Sequence, residues 1–484
     1  MDFKLELLID LAIILIFLAG FRLFRTPKGA RSGNLMAAFA LILAVVVVIL
    51  RHRILQPEIV LIALAAGSLV GWIVAMRVNM IQIPAMVAFQ HGAGGVAAFL
   101  VSFVELTRLA EPGMAKVSGI LGLIIGAVTF SGSMIASGKL ANVIKQPPVV
   151  LPKHSWLTIG LIILLAIGGV IAGGVQGASL VYWLLLLILL SVLLGLVFSI
   201  RIGGADMPVL ISFLNATAGL AAALCGVIIQ NRLLIACGAT VAASGSILTH
   251  VMCKAMNRNL FSVFFGFQHK SASEKIQAAP TEGPAGEGQS PAPAAAEQPP
   301  APQRVKGDPL TEAVEAAREA KSVIFIPGYG MALAQAQFLV VELAALLEKM
   351  GKEVKFAIHP VAGRMPGHMN VLLAEAELPY DKLCEMEDIN PEFNRTDLAI
   401  VVGASDVVNP AAITVEDTPI SGMPILLAHE AGKVLVCNLD ERPGYSGIAN
   451  PLYQMDRVIA LFGDAKASLT SLIEQISGEP VRSR

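Results

Sequence analysis

Apolar stretches of membrane length recur nine times through the first 254 residues, and nothing else in the chain constrains its fold as strongly. They lie at about 5–24, 33–50, 57–76, 83–104, 115–137, 157–175, 179–199, 208–228 and 232–254. A hydrocarbon core of roughly 30 Å is crossed by about 20 residues of helix, so each stretch is long enough to span it. An all-α bundle of about nine transmembrane helices is therefore expected. The least apolar are the fourth, with His91 inside and Glu105 at its end, and the eighth, with Asn215. Only 15% of the chain is charged, against about 25% in soluble domains. The net charge of −1 and the lack of a Lys/Arg-rich run exclude a nucleic-acid partner.

The first stretch is not a secretory leader, because Asp2, Lys4 and Glu6 replace a basic run and the core is too long. It reads as a retained helix. Basic residues orient the bundle. Arg25, Lys28, Arg31, Arg77, Lys139, Lys145, Lys153, Arg201, Lys254 and Arg258 fall on one side, ten in all, and six fall on the other. That count places the N-terminus outside and the C-terminal domain in the cytosol. Five cysteines without a CxxC pair read as packing residues on a reducing face, not as disulfides or a zinc site. The histidines outside the fourth stretch lack HExxH-like spacing, so no metal site is expected. Glycines and other small residues in several spans allow close helix approach in lipid.

Three parts follow: a membrane domain at 1–270, a flexible Pro/Ala-rich linker at 271–306 and a second domain at 307–484. In the last part, strands are expected at 322–327, 353–359, 397–403, 424–428, 433–438 and 457–462. Helices fill about 331–350, 366–376 and 465–477. Alternation of this kind implies an α/β, Rossmann-like, doubly wound parallel sheet.

Three segments of this domain suit a dinucleotide. Gly328-Tyr329-Gly330 follows a strand and opens a helix, where glycines let backbone amides approach a pyrophosphate. The sixth fingerprint position is Leu333, so a tight turn in an unrelated α/β domain stays open. His359 to Gly367 carries Arg364 among small residues, suited to two phosphate oxygens. A helix cap or a pair with Glu375 is the structural alternative. Gly403-Ala404-Ser405-Asp406 ends a third strand, where ligands of open α/β sheets bind.

Four segments taken together resemble one family: Gly328-Tyr329-Gly330, Val361-Ala362-Gly363-Arg364-Met365-Pro366-Gly367, Asn409-Pro410-Ala411-Ala412 and Phe462-Gly463-Asp464-Ala465-Lys466. That family is the beta subunit of the proton-translocating NAD(P) transhydrogenase, and the likeness covers nearly the whole chain. It implies NADP(H) on this chain and NAD(H) on a separate subunit, with hydride passing between them while a proton crosses the membrane. By motif match, Tyr329, Val361, Ala362, Gly363, Arg364, Met365, Pro366, Gly403, Ala404, Ser405, Asp406, Tyr445, Asp464 and Ala465 would contact NADP(H). The family's Lys-Arg-Ser run after the fifth strand, where the 2′-phosphate binds, is replaced by Asn438-Leu439-Asp440. Arg442 or Lys433 is the substitute cation.

Ionisable residues within spans are costly and so are functional candidates. His91 and Asn215 lie at similar depth, and histidine is suited to proton exchange near neutral pH. A packing histidine bonded to a neighbouring helix is the alternative. The resemblance makes His91 the proton-conducting residue. Asp206, in the matching loop Arg201 to Pro208, would relay protons or sense the docked domain, unless it pairs with Arg201. No catalytic residue is expected in the nucleotide domain, because the cofactors carry the hydride chemistry. Partners are an alpha subunit carrying NAD(H) and further helices, a second copy of the chain, and lipid. Location is a bacterial inner membrane. The rival reading is a nucleotide-gated channel or transporter without redox chemistry.

Overall fold

The computed structural model describes residues 3–23, 27–51, 57–108, 113–145, 149–203, 206–256, 260–265, 308–365, 367–416, 418, 420–444 and 446–478. The expected linker, Pro366, Tyr445, and Gly204 and Ala205 of the 201–208 loop lie outside the described residues.

Nine helices occupy the nine apolar stretches: α1 (Phe3–Leu23), α2 (Pro27–Arg51), α3 (Pro57–Arg77), α4 (Ile83–Arg108), α5 (Met114–Leu140), α6 (His154–Gly174), α7 (Ala178–Ile200), α8 (Met207–Ile228) and α9 (Arg232–Ala255). Among the described residues, eight of them, α2 to α9, are long and apolar enough to cross a membrane. The first is set apart by Lys4, Glu6, Asp10 and Arg22. Asp10 is only 2% exposed. Arg51, at the end of α2, grips both its oxygens at 2.9 and 3.1 Å. Pairing offsets the large desolvation penalty of an isolated buried charge.

At the centre stands α5, packed on α4, α7 and α8, while α8 also packs along α9. Small residues set these distances. A Cβ at Gly95 of α4 would lie 2.6 Å from the Gly126 carbonyl of α5, and one at Gly219 of α8 would lie 2.5 Å from the Ala242 amide of α9. A short helix not anticipated from sequence, α10 (Leu260–Phe265), brings Phe264 to 4.6 Å from the rings of both Phe198 and Phe213.

The second domain begins with α11 (Pro309–Glu319), also unanticipated, capped by Asp308. Its strands are β1 (Ser322–Pro327), β2 (Glu353–Ile358), β3 (Leu383–Glu385), β4 (Leu398–Val402), β5 (Lys433–Asn438) and β6 (Val458–Phe462). They form one wholly parallel sheet in the order β3-β2-β1-β4-β5-β6. Chain direction across the sheet reverses between β1 and β4. Helices α12 (Tyr329–Leu333), α13 (Gln337–Lys349), α14 (His368–Glu375), α15 (Met386–Ile389), α16 (Ala411–Thr414) and α17 (Ala465–Ser477) complete the domain. Both faces are covered. Phe325 and Phe356 stack at 5.1 Å within one core, while Ile324, Ile326 and Val401 fill the other.

Two expectations change. One helix over 331–350 is instead α12 and α13, because Gln335 takes a left-handed φ of 51°. The Ala336 amide then bonds Met331 and the Gln335 amide bonds Ala332, the paired closure that ends helices. Glycine usually fills that position, so Gln335 hid the break. The expected strand 424–428 is not part of the sheet. Its residues are apolar because Ile425, Leu426 and Ala428 are buried, and Leu426 makes its amide bond to Val407.

Candidate dinucleotide site and its docking face

The turns after β1 and β4 meet where the strand order reverses, the position at which open α/β sheets form a binding crevice. Their backbones interlock. The Gly328 amide donates to Val402 at 2.8 Å, Gly330 to Gly403 at 2.8 Å, and Gly403 to Cys437 at 3.0 Å. A Cβ on Gly330 would fall 2.7 Å from the Gly403 Cα, and Gly403 itself has φ +64°. These glycines thus let two turns touch. The Gly330 amide is already bonded within the protein, where the fingerprint reading had the turn's amides approach a pyrophosphate.

Two buried histidines hold the loop after β2. His359 donates from Nε2 to the Pro424 carbonyl at 2.8 Å and accepts from the Val361 amide at Nδ1, 3.3 Å. His368 accepts the Arg364 amide at Nδ1, 3.1 Å. Accepting at Nδ1 requires the neutral ring. Burial pushes the His359 pKa down to about 4, and burial together with the Arg364 charge does the same for His368. Between them, Gly363 at φ +104° leaves no room for a Cβ, which would lie 2.5 Å from His368 Nδ1.

This clamp aims Arg364. Its guanidinium carbon lies 4.3 Å from the centre of the Tyr329 ring, joining the β1 and β2 loops. Nη1 donates at 2.7 Å to the carbonyl of Leu140, the last residue of α5. Glu375, the alternative partner, instead accepts from Gln337 at 3.2 Å. Val361 and Val407 of the nucleotide domain pack in a cluster with Ala85, Ala88, Leu140, Ile202, Met207 and Leu210 of the bundle. The domain therefore docks where α4 and α8 begin and α5 ends.

Asp406 braces a neighbouring loop. It accepts from the Ser446 amide at 3.0 Å and its hydroxyl at 2.6 Å. Asp464 caps α17 through the Ala467 amide at 3.0 Å, and Ala465 is buried in the core. Both acids therefore brace the protein's own chain, Asp406 through an amide and a hydroxyl and Asp464 through an amide. At the end of β5, Asn438 turns inward, donating to Ala404 and to the Tyr453 hydroxyl, both at 2.8 Å. Leu439 is exposed. Arg442 is exposed, its Nε 3.6 Å from Asp440. Lys433 sits at the other end of β5, 3.3 Å from Glu319, so it is not the substitute cation. Its place at the strand's start puts it on the edge opposite the crevice.

His91 and Asn215 each lie eight residues into α4 and α8, roughly 12 Å at 1.5 Å per residue. Both are half-buried. His91 Nδ1 is buried and bonds no other described residue, so the packing bond weighed from sequence is not seen at that nitrogen. Ala88, three residues before His91, belongs to the docking cluster. Asp206 is the N-cap residue of α8. Arg201 donates to Ser155 at 3.2 Å. Ser131, Ser244 and Ser246 bond back to helix carbonyls. Sequence reasoning missed His359, His368 and Lys139. Only the position of the two histidines at either end of the Gly363 loop signalled them.

A doubly wound α/β domain seated by an arginine on a polytopic bundle defines a membrane-coupled nucleotide protein. The family model described as NAD(P) transhydrogenase beta subunit matches residues 7–475. Two relatives from Rhodospirillum rubrum, each named NAD(P) transhydrogenase subunit beta, are 39% identical over 471 residues, covering 96% of this chain and 97% of theirs. The chain belongs to the NAD(P) transhydrogenase beta subunit family.

Proposed function

We propose that this chain is the membrane and NADP(H)-binding subunit of a transhydrogenase that moves hydride between NADH and NADP⁺ as a proton crosses the bilayer. NAD(H) is carried by an alpha subunit that also supplies further helices. The observation that carries this reading is the bond from Arg364 to Leu140. It seats the predicted crevice on the end of the bundle from which His91 and Asn215 are reached two turns down.

When bound, the two cofactors supply the carbons that give and accept hydride. The crevice fits such a group in part: it has glycine turns, the Tyr329 ring and the Ser405 hydroxyl beside Tyr453. Of the two cations weighed for the 2′-phosphate, Arg442 follows the carboxyl end of β5 and Lys433 does not. This chain's residues do the rest. Arg364, Val361 and Val407 hold the crevice against the bundle. His91 takes and releases the proton, Asn215 bonds it at the same depth, and Asp206 links protonation to docking. Coupling requires that nucleotide affinity differ between the two protonation states.

The docking end is the end to which the loop order assigns the more basic side, which supports a cytosolic nucleotide domain in a bacterial inner membrane. Along α3, exposed throughout its apolar length, there is surface for lipid, a second copy or the partner's helices.

The test is the complex reconstituted in vesicles, with NADPH formation and internal pH followed together. Hydride transfer from NADH with stoichiometric proton movement is expected, and His91→Ala abolishes the proton movement. Undiminished pumping in that variant removes the role of His91. Nucleotide binding with no hydride exchange favours a nucleotide-gated channel instead.

A further inference from the structure

The end of α5 carries two neighbouring attachments that point in different directions. Leu140 offers its carbonyl to Arg364 of the nucleotide domain. Lys139, one residue earlier, is 1% exposed and is among the largest fully buried side chains. Its ammonium donates to the carbonyls of Ile200 and Ile202, both at 2.6 Å. Those two residues end α7 and open the loop that leads to Asp206 and α8. Among the described residues no carboxylate partners Lys139.

A cation at the C-terminus of α7 is favourable in itself. A surface lysine would serve that purpose without desolvation, whereas burying an ammonium on neutral partners is costly. The two carbonyls also belong to the segment that closes the docking cluster, since Ile202 and Met207 pack with Leu140 and Val361. Lys139 thus joins the residue that receives the nucleotide domain to the loop that carries Asp206. Ser137, two residues earlier, adds a bond to Ala85 of α4 at 2.9 Å. One end of one helix therefore holds α4, α7 and the nucleotide domain.

We propose that Lys139 is a positioning residue for proton coupling: its ammonium ties the Arg364 docking point on α5 to the α7–α8 loop, so that docking and the setting of Asp206 change together. This rests on the transhydrogenase reading, but its test does not require turnover.

The experiment is hydrogen exchange on the assembled complex in nanodiscs, read at the amides of Ile202, Gly203, Asp206 and Met207, alongside the proton-to-hydride ratio in vesicles. Lys139→Met fills the same space without donors. It should raise exchange at those amides roughly tenfold, as loss of charge-assisted bonds to a loop does. The proton-to-hydride ratio should fall to less than half while hydride transfer continues. Lys139→Arg, which keeps a cationic donor, should restore the ratio at least in part. An unchanged ratio and unchanged exchange in Lys139→Met overturn the proposal. If that variant does not assemble, Arg364→Met decides. It leaves Lys139 and its two carbonyl bonds in place, and the proposal requires faster exchange at the same amides. Unchanged exchange in Arg364→Met overturns it. Absence of nucleotide binding or hydride transfer in the unaltered complex counts against the transhydrogenase reading alone.

Discussion

Acidification should loosen the nucleotide domain through the two buried histidines that hold the loop after β2. His359 and His368 are each 1% exposed and have pKa values pushed from 6.5 to about 4. In the unfolded chain they take up protons near pH 6.5, in the folded chain only near pH 4. The unfolded state therefore binds more protons between those values. Their contribution to stability is fully present above pH 6.5 and is lost as the pH falls toward 4. From pH 7 to pH 5 the linkage relation gives about 2 kcal/mol for each histidine, or about 4 kcal/mol for both. With a urea slope of about 2 kcal/mol/M, the unfolding midpoint should drop by about 2 M. The three tryptophans, Trp72, Trp156 and Trp183, lie in the bundle, so their fluorescence does not follow this domain. Pulse proteolysis in urea, scored on fragments from 308–478, does. In His368→Asn, whose amide oxygen can still accept the Arg364 amide, the pH-dependent drop should shrink by about half. A variant midpoint that falls between pH 7 and pH 5 as far as the unaltered protein's would refute the assignment of a neutral, buried His368.

Other consequences are more local. Gly403→Ala forces a Cβ into the Gly330 and Met331 backbone at φ +64°. It should cost about 3 kcal/mol or more, read as a lowered melting temperature, and a loss under about 1 kcal/mol would contradict the interlocked turns. Arg51→Leu leaves Asp10 buried without its partner and should cost about 3–5 kcal/mol. Loss of α1–α2 pairing would appear as new protease sensitivity in that hairpin, and an intact hairpin would count against it. Arg442→Ala should weaken NADP(H) binding roughly tenfold while leaving NAD(H) binding unchanged, as expected for a cation serving a phosphate. Calorimetry on the complex reads both, and equal losses for the two nucleotides would remove Arg442 from 2′-phosphate recognition.

Much of this architecture could be read directly from residue order. Each of the nine helices of the bundle lies within a few residues of its apolar stretch, because a segment that must bury its backbone in lipid shows its whole length in hydropathy. Five of the six strands were likewise expected, since both faces of a parallel sheet are covered and its strands are uniformly apolar. The misses have local causes. Leu383–Glu385 is too short to show a pattern, and α11 is a short helix of mixed composition with four buried residues. In the 424–428 segment, burial without pairing imitates a strand.

The crevice was legible as strand ends, but the duties of its residues were not. Gly330 reads equally well as a ligand-facing amide or as a close contact, and only the meeting of β1 and β4 assigns it to Gly403. Arg364 reads as a phosphate ligand or a cap, yet its donor reaches a carbonyl 224 residues away in sequence. Lys139 looked like one more cytosolic charge in the orientation count, and tertiary packing turned it inward to carbonyls on another helix. Sequence by itself determined the bundle, the parallel sheet, their order and the family, because those depend on local periodicity and on adjacent residues. Tertiary structure alone decided which polar groups meet, since a hydrogen bond depends on a few tenths of an ångström between segments far apart along the chain.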